Sequence, residues 1–195
     1  MPAVRRRWTP DAVRSLMDET RAWPRYELIA GELVVTPAPG IAHQVIVTEF
    51  WALLDTYLKR NQIGLALVSP SDLELQPDTI TQPDVFVVPI RQDPGEAAAR
   101  WSDIRSLLLA VEVFSPSSLR TDRVEKRDLY LDAGVPEYWI VDIDARVVER
   151  WTPSHPTPEI LRTELTWPAA NADTLIIDLP ALFERVARKT GMIRV

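Results

Sequence analysis

A chain of 195 residues with 46% hydrophobic content has enough apolar material for one packed domain. It contains no cysteine, which excludes disulfides, thiolate nucleophiles and thiolate metal centres, and two histidines, His43 and His155, are too few for a multi-histidine zinc site. A net charge of -6 excludes a general nucleic-acid coat protein, whose affinity comes from Lys and Arg neutralising phosphates, so any DNA contact has to be local or metal-assisted.

The arginines near the start are followed by polar residues rather than an apolar run, and no stretch is long enough to span a bilayer, so the expected location is cytoplasmic with no membrane contact. Thr9, Pro10 and Asp11 supply an N-cap, a first-turn proline and an early acid, and predict a helix to about Thr20. Residues 26–36 read as a hairpin with Ala30-Gly31 at its turn. Ile46, Phe50, Leu53, Leu54, Tyr57 and Leu58 recur at three and four, the spacing of a helix packed on one face, from residue 41 to about 60. Short strands are predicted at 65–69, 72–75 and 84–89, followed by a surface connection over 94–100. The run 107–114 is apolar except for Glu112, is bounded by Ser115-Pro116, and reads as a central buried strand. A second long helix is expected over 121–133, stopped by Gly134. A hairpin over 138–142 and 147–151 follows, then a Pro-rich loop, two strands near 161–165 and 174–177, and a short helix from Pro180. Helices interleaved with strands make this one α/β domain over 1–195, in which 1–25 is a helix and lead-in and 152–195 an extension packed on the core.

Glu112 is the most informative residue. A carboxylate inside an apolar strand costs several kcal/mol to bury unless it is paired or metal-bound. The alternatives are exposure at a strand end or a structural pairing with an arginine. Asp84, fixed by Pro83 at the entry of another apolar strand, lies 28 residues before it, and adjacent strands can converge two carboxylates on one cation. Oxygen ligands of that kind suit magnesium, with manganese as a substitute. Lys126 shares a helical stripe with Leu129, Tyr130 and Ala133, which directs its amine toward the sheet and toward those acids. A snorkelling lysine with its charge in water is the competing reading.

These residues carry a resemblance. Pro83-Asp84, Val111-Glu112-Val113-Phe114-Ser115-Pro116-Ser117, Asp122, Lys126, Tyr130, Gly134-Val135 and Glu137-Tyr138-Trp139-Ile140-Val141-Asp142 are similar to the pattern of the Uma-type putative restriction endonuclease family, as are Tyr26-Glu27-Leu28-Ile29-Ala30-Gly31-Glu32-Leu33 and His43. The resemblance spans nearly the whole chain. It implies a restriction-endonuclease-like fold of the PD-(D/E)XK nuclease superfamily: a central mixed β-sheet flanked by helices, with an N-terminal hairpin and additional C-terminal strands. It also implies a magnesium-dependent endonuclease acting on DNA, with Asp84 and Glu112 as metal ligands. One departure stands out. The usual lysine two residues after the glutamate is replaced by Phe114, and the resemblance implies that Lys126, on the following helix, takes its role.

Further candidates are Glu32, as a third metal ligand or orienting acid, and His43, for a phosphate or behind the metal ligands. Arg123 sits with Arg120 and Arg127 on a basic stripe that could meet phosphates. Interspersed Asp122, Glu125 and Asp128 make a solvated, salt-bridged face the alternative. Tyr138 and Trp139 read as core rather than base-stacking residues. The rival to an enzyme is a catalytically inactive nuclease-fold module that binds nucleic acid or protein. The Trp- and Pro-rich final third adds a homodimer as a third reading.

Overall fold

The computed structural model describes residues 7–19, 25–90, 100–114, 121–169 and 172–192. Helix α1 (Pro10–Glu19) is capped by Thr9, whose Oγ1 accepts from Ala12 N at 3.3 Å. The hairpin of β1 (Arg25–Ile29) and β2 (Glu32–Thr36) turns on Ala30 and Gly31, at φ 49° and 82°. Two consecutive left-handed residues match the right-handed twist of the strands they join, and Gly31 adopts its angle without a Cβ penalty. Leu28 exchanges backbone hydrogen bonds with Ile80 at 2.8 and 2.7 Å, which ties the hairpin to the segment that leads through Asp84 into the strand starting at Val85.

Helix α2 (Ile41–Asn61) is followed by β3 (Gly64–Val68), β4 (Val85–Pro89), β5 (Leu109–Val113), β6 (Tyr138–Asp142), β7 (Val147–Trp151) and β8 (Glu159–Leu161). These six strands form one sheet in chain order; β5 and β6 run parallel and the other neighbours antiparallel. A parallel step needs a crossover, and the chain between β5 and β6 supplies one through helical residues 121–132. The alternation of side chains divides the sheet into two faces. Val85, Val87, Leu109, Val111 and Trp139 join α2 and the C-terminal helix in one core, and Phe86, Ala110, Tyr138 and Ile140 join Ile29, Leu129 and Tyr130 in another.

The architecture is the expected α/β one, a central mixed sheet flanked by helices, with four local corrections. Residues 72–75 form no strand; Leu73 makes an isolated bridge to Thr81, and the Asp72 carboxylate accepts from Gln82 Nε2 at 2.9 Å. The predicted helix over 121–133 is a π-helical segment, Thr121–Lys126, continued by α3 (Arg127–Asp132). The expected strand at 161–165 is the end of β8, a turn and the start of β9 (Glu164–Trp167), which pairs with β10 (Leu175–Asp178) in a separate two-stranded sheet. The final helix, α4 (Leu179–Gly191), is 13 residues long because Asp178 caps it and its apolar stripe packs beside α2. The connection expected at 94–100 lies, apart from Arg100, outside the described residues, as do Ser115-Pro116 and Arg120. No described helix is long and apolar enough to cross a membrane.

Candidate active site

Pairing between β4 and β5 decides where the two strand acids stand. Val85 faces Val111 in an antiparallel register; continued by one residue, that register sets Asp84 opposite Glu112. Directly opposed residues put their side chains on the same face, close enough to interact. The Asp84 carboxylate is anchored by Val113 N, which donates to Oδ2 at 2.9 Å, by His43 Nε2 at 3.1 Å and by Arg25 at 3.3 Å. Burial opposes its ionisation, but the hydrogen bond and charge of His43, the Arg25 guanidinium and the Val113 amide together hold its carboxyl below the ordinary range.

Glu112 is 4% exposed and has a different environment. Its Oε1 receives Lys126 Nζ at 2.9 Å and the Tyr130 hydroxyl at 3.0 Å. Burial, followed by the charges of Asp84, Asp122 and Glu27, pushes its carboxyl well above the ordinary range against the pull of Lys126. Lys126 is itself 4% exposed and reaches three acids: Glu112, Glu27 Oε2 at 3.0 Å and Asp122 Oδ1 at 3.9 Å. Those acids outweigh the penalty of burying its charge and hold its amine well above the usual lysine range. The amine is therefore a fixed cation at neutral pH.

Glu27 is held from behind. Its Oε1 accepts from Gln82 N at 2.8 Å and from Thr81 Oγ1 at 3.2 Å, and Thr81 Oγ1 lies 2.9 Å from the Tyr130 hydroxyl. Two hydroxyl protons serve three contacts, so a proton on the Glu112 carboxyl would complete the chain. All four acids line one cavity of about 330 Å³, together with Arg25, His43 and Lys126.

The structure thus brings Asp84, Glu112, Lys126 and His43 together and leaves Glu32 and Arg123 elsewhere. Glu32 is exposed at the start of β2, opposite Ile29 beside the turn, and does not line the cavity. The hairpin's acid at the site is Glu27. Arg123 donates through Nε to Glu149 Oε1 at 2.9 Å and lies over the Phe114 ring at 5.7 Å, which makes it a brace for the outer strands. Asp122, expected on a solvated face, is buried against the cavity. Its position four residues before Lys126 was the available signal, since residues so spaced share a helix face. For Glu27 the signal was an acid two residues from buried Ile29, on the same side of the strand.

A magnesium-like cation can be tested against these groups. Four acids face one cavity against the permanent cations Arg25 and Lys126, and burial first, then the charges of the other three acids, raises Glu112; the donors are all hard oxygens. Among the described residues, no group of three or more His, Cys, Asp or Glu is placed to hold a metal ion. Magnesium does not require one, because it keeps several waters and takes one or two carboxylates plus substrate phosphate. Asp84 and Glu112 fit that demand.

A family model described as putative restriction endonuclease matches residues 14–179. The chain belongs to the Uma2 family. Among solved structures, the Uma2 chain is similar to a putative nuclease belonging to DUF820 from Anabaena variabilis, with a TM-score of 0.69 and 22% identity over 89% of this chain and 98% of that one. At that identity the likeness shows a shared fold. No curated protein matches the chain.

Proposed function

We propose that this Uma2 chain is a divalent-metal-dependent phosphodiesterase that cuts DNA, with magnesium as its cation and manganese as a substitute. The observation that carries the proposal is the opposition of Asp84 and Glu112 across adjacent strands with the Lys126 amine 2.9 Å from Glu112, all facing one cavity. Asp84 and Glu112 are the residues to hold the cation, which when bound supplies Lewis-acid stabilisation of charge developing on a phosphate. Lys126 adds a positive charge held beside the same position by Glu112 and Glu27, and charge preorganised in this way is worth more than charge that must reorganise in solution. Glu27, Thr81 and Tyr130 keep that amine and the Glu112 carboxyl in place. His43 and Arg25 orient Asp84. Membership of a family described as restriction endonuclease supports a nuclease activity of this kind.

The test is cleavage of supercoiled plasmid and labelled oligonucleotides in magnesium or manganese, with a chelator control. The parent chain is expected to cut and Glu112→Ala to be at least about 100-fold slower. Equal rates for the two, or no cleavage by the parent with either metal, overturns the proposal. A second reading, an inactive nuclease-fold module that holds nucleic acid or protein, is favoured by one observation: two carboxylates already engage Lys126 at 2.9 and 3.0 Å. Calorimetric titration separates the two, since the module takes up neither metal at millimolar concentration while remaining folded.

A further inference from the structure

Behind the His43–Asp84 contact lies a second cavity, of about 270 Å³, which shares Arg25, His43 and Asp84 with the first. Its outer wall is a stripe of α2. Gln44, Thr48 and Trp51 follow one another at i, i+4 and i+7, so they stand in one line along the helix, and all three are exposed. Val68, at the end of edge strand β3, faces them across the cavity and is exposed as well. Trp51 is 37% exposed, and its indole orientation is set by Nε1, which donates to Ala66 O at 3.0 Å. A ring fixed by its polar edge with its body at the surface is a rigid platform, ordered before anything binds.

We infer that this cavity is a base-binding subsite, in which Trp51 stacks an unstacked nucleobase of the strand whose neighbouring phosphate enters the first cavity. The inference rests on the phosphodiesterase reading above. Three features select this occupant. The shared wall of Arg25, His43 and Asp84 puts the subsite within one nucleotide of the candidate reacting groups. An aromatic face stacks any base, and the rim offers the Gln44 amide and, as an acceptor, the Thr48 hydroxyl, whose proton goes to Val45 O at 2.8 Å; these are the usual equipment for holding single-stranded nucleic acid. Finally, a chain of net charge -6 has little to gain from a sequence-independent grip on a duplex backbone, and stacking supplies affinity that does not depend on net charge. A cavity of about 270 Å³ has room for one base, which can enter it only out of the stack, so the favoured substrate has an unpaired or extrudable base next to the cut.

The experiment compares cleavage of single-stranded oligonucleotides that differ by one abasic position, placed in turn at each nucleotide flanking the cut. For the parent, one flanking position should raise KM about tenfold when its base is missing. Trp51→Leu should raise KM about tenfold on the intact strand and lose the abasic penalty, whereas Trp51→Phe, which keeps a ring, should retain the penalty. Melting curves of each variant establish that it is folded. Should Trp51→Leu prove unfolded, Gln44→Ala and Val68→Asp take its place, with a reduced penalty expected. An equal abasic penalty in the parent and the folded variants, or no penalty at any position, overturns the subsite and leaves the phosphodiesterase intact. A parent that cuts plasmid but no single strand overturns the subsite alone, and one that cuts neither in either metal overturns the phosphodiesterase reading and the subsite with it.

Discussion

Lys126 and Glu112 form a buried ion pair, Nζ to Oε1 at 2.9 Å, between residues 14 apart on different elements. Breaking such a pair from one side leaves an uncompensated buried charge. Lys126→Met should therefore cost about 3–5 kcal/mol of stability as well as abolish cleavage. Urea unfolding measures the first effect, and a loss under about 1 kcal/mol would show that the acids are better solvated than their burial implies.

Glu112→Gln tests the opposite side of the same pair. The amide is the uncharged counterpart of the carboxyl that burial, followed by Asp84, Asp122 and Glu27, already disfavours as an anion, and Lys126 keeps Glu27 at 3.0 Å. The variant should melt at or above the parent temperature while losing cleavage by at least about 100-fold. A clearly lower melting temperature would mean that the Glu112 charge contributes net stability.

Away from the site, Glu49 on α2 receives Lys189 at 2.5 Å and Arg185 at 3.0 Å from α4. Burial opposes its charge, but the two hydrogen bonds and the two cations hold its carboxyl below the ordinary carboxylate range. A folded pKa below the unfolded one means stability that is fully present above the unfolded value and lost as pH falls through the folded one. Because both cations are partly exposed, Glu49→Gln should cost only about 1 kcal/mol at pH 7. The cost should vanish in acid below the folded pKa. Melting curves across that range check it, and a cost that persists unchanged would place the effect in packing rather than charge.

Arg123 offers a test between bracing and phosphate contact. Glu149 is buried with Oε2 lacking a hydrogen-bond partner among the described residues, and Arg123 serves its other oxygen. Arg123→Ala should destabilise the fold by about 2 kcal/mol and leave the salt dependence of DNA binding unchanged. A shallower salt slope with unaltered stability would return Arg123 to the phosphate-binding role.

Magnesium or manganese, if held by Asp84 and Glu112, should raise the melting temperature of the parent and not of Glu112→Ala. At about 100 times the dissociation constant the stabilisation is about 2.7 kcal/mol, well within reach of calorimetry. Equal shifts in both proteins would point to nonspecific ion binding.

Most of the sheet is legible in the sequence because its strands are short apolar runs with clear punctuation, and Asp84 and Glu112 stand out as charges at the margins of two of them. Lys126 is legible from its stripe on the following helix. What escapes are groups whose burial depends on distant partners. Glu27 reads like any polar residue of a hairpin until the 80–82 segment closes over it with Thr81 and the Gln82 amide. Glu32, five residues on, has the same local appearance and remains outside. Asp122 alternates with arginines in a pattern typical of solvated helices, and only the cavity beside it shows which side it takes. Residues 72–75 alternate like a strand but find their partner in an isolated bridge at Thr81 rather than in the sheet.

The wide π-helical turns between Thr121 and Lys126 make chain length itself a determinant of the site. Deleting one residue inside that segment would let the ladder tighten to α-helical pitch, which turns each residue by about 100°. The chain would keep nearly its whole composition and both strand acids, yet the ammonium would swing away from them. Point substitutions along this stretch, Asp122 and Lys126 aside, should thus be tolerated more readily than any change in its residue count.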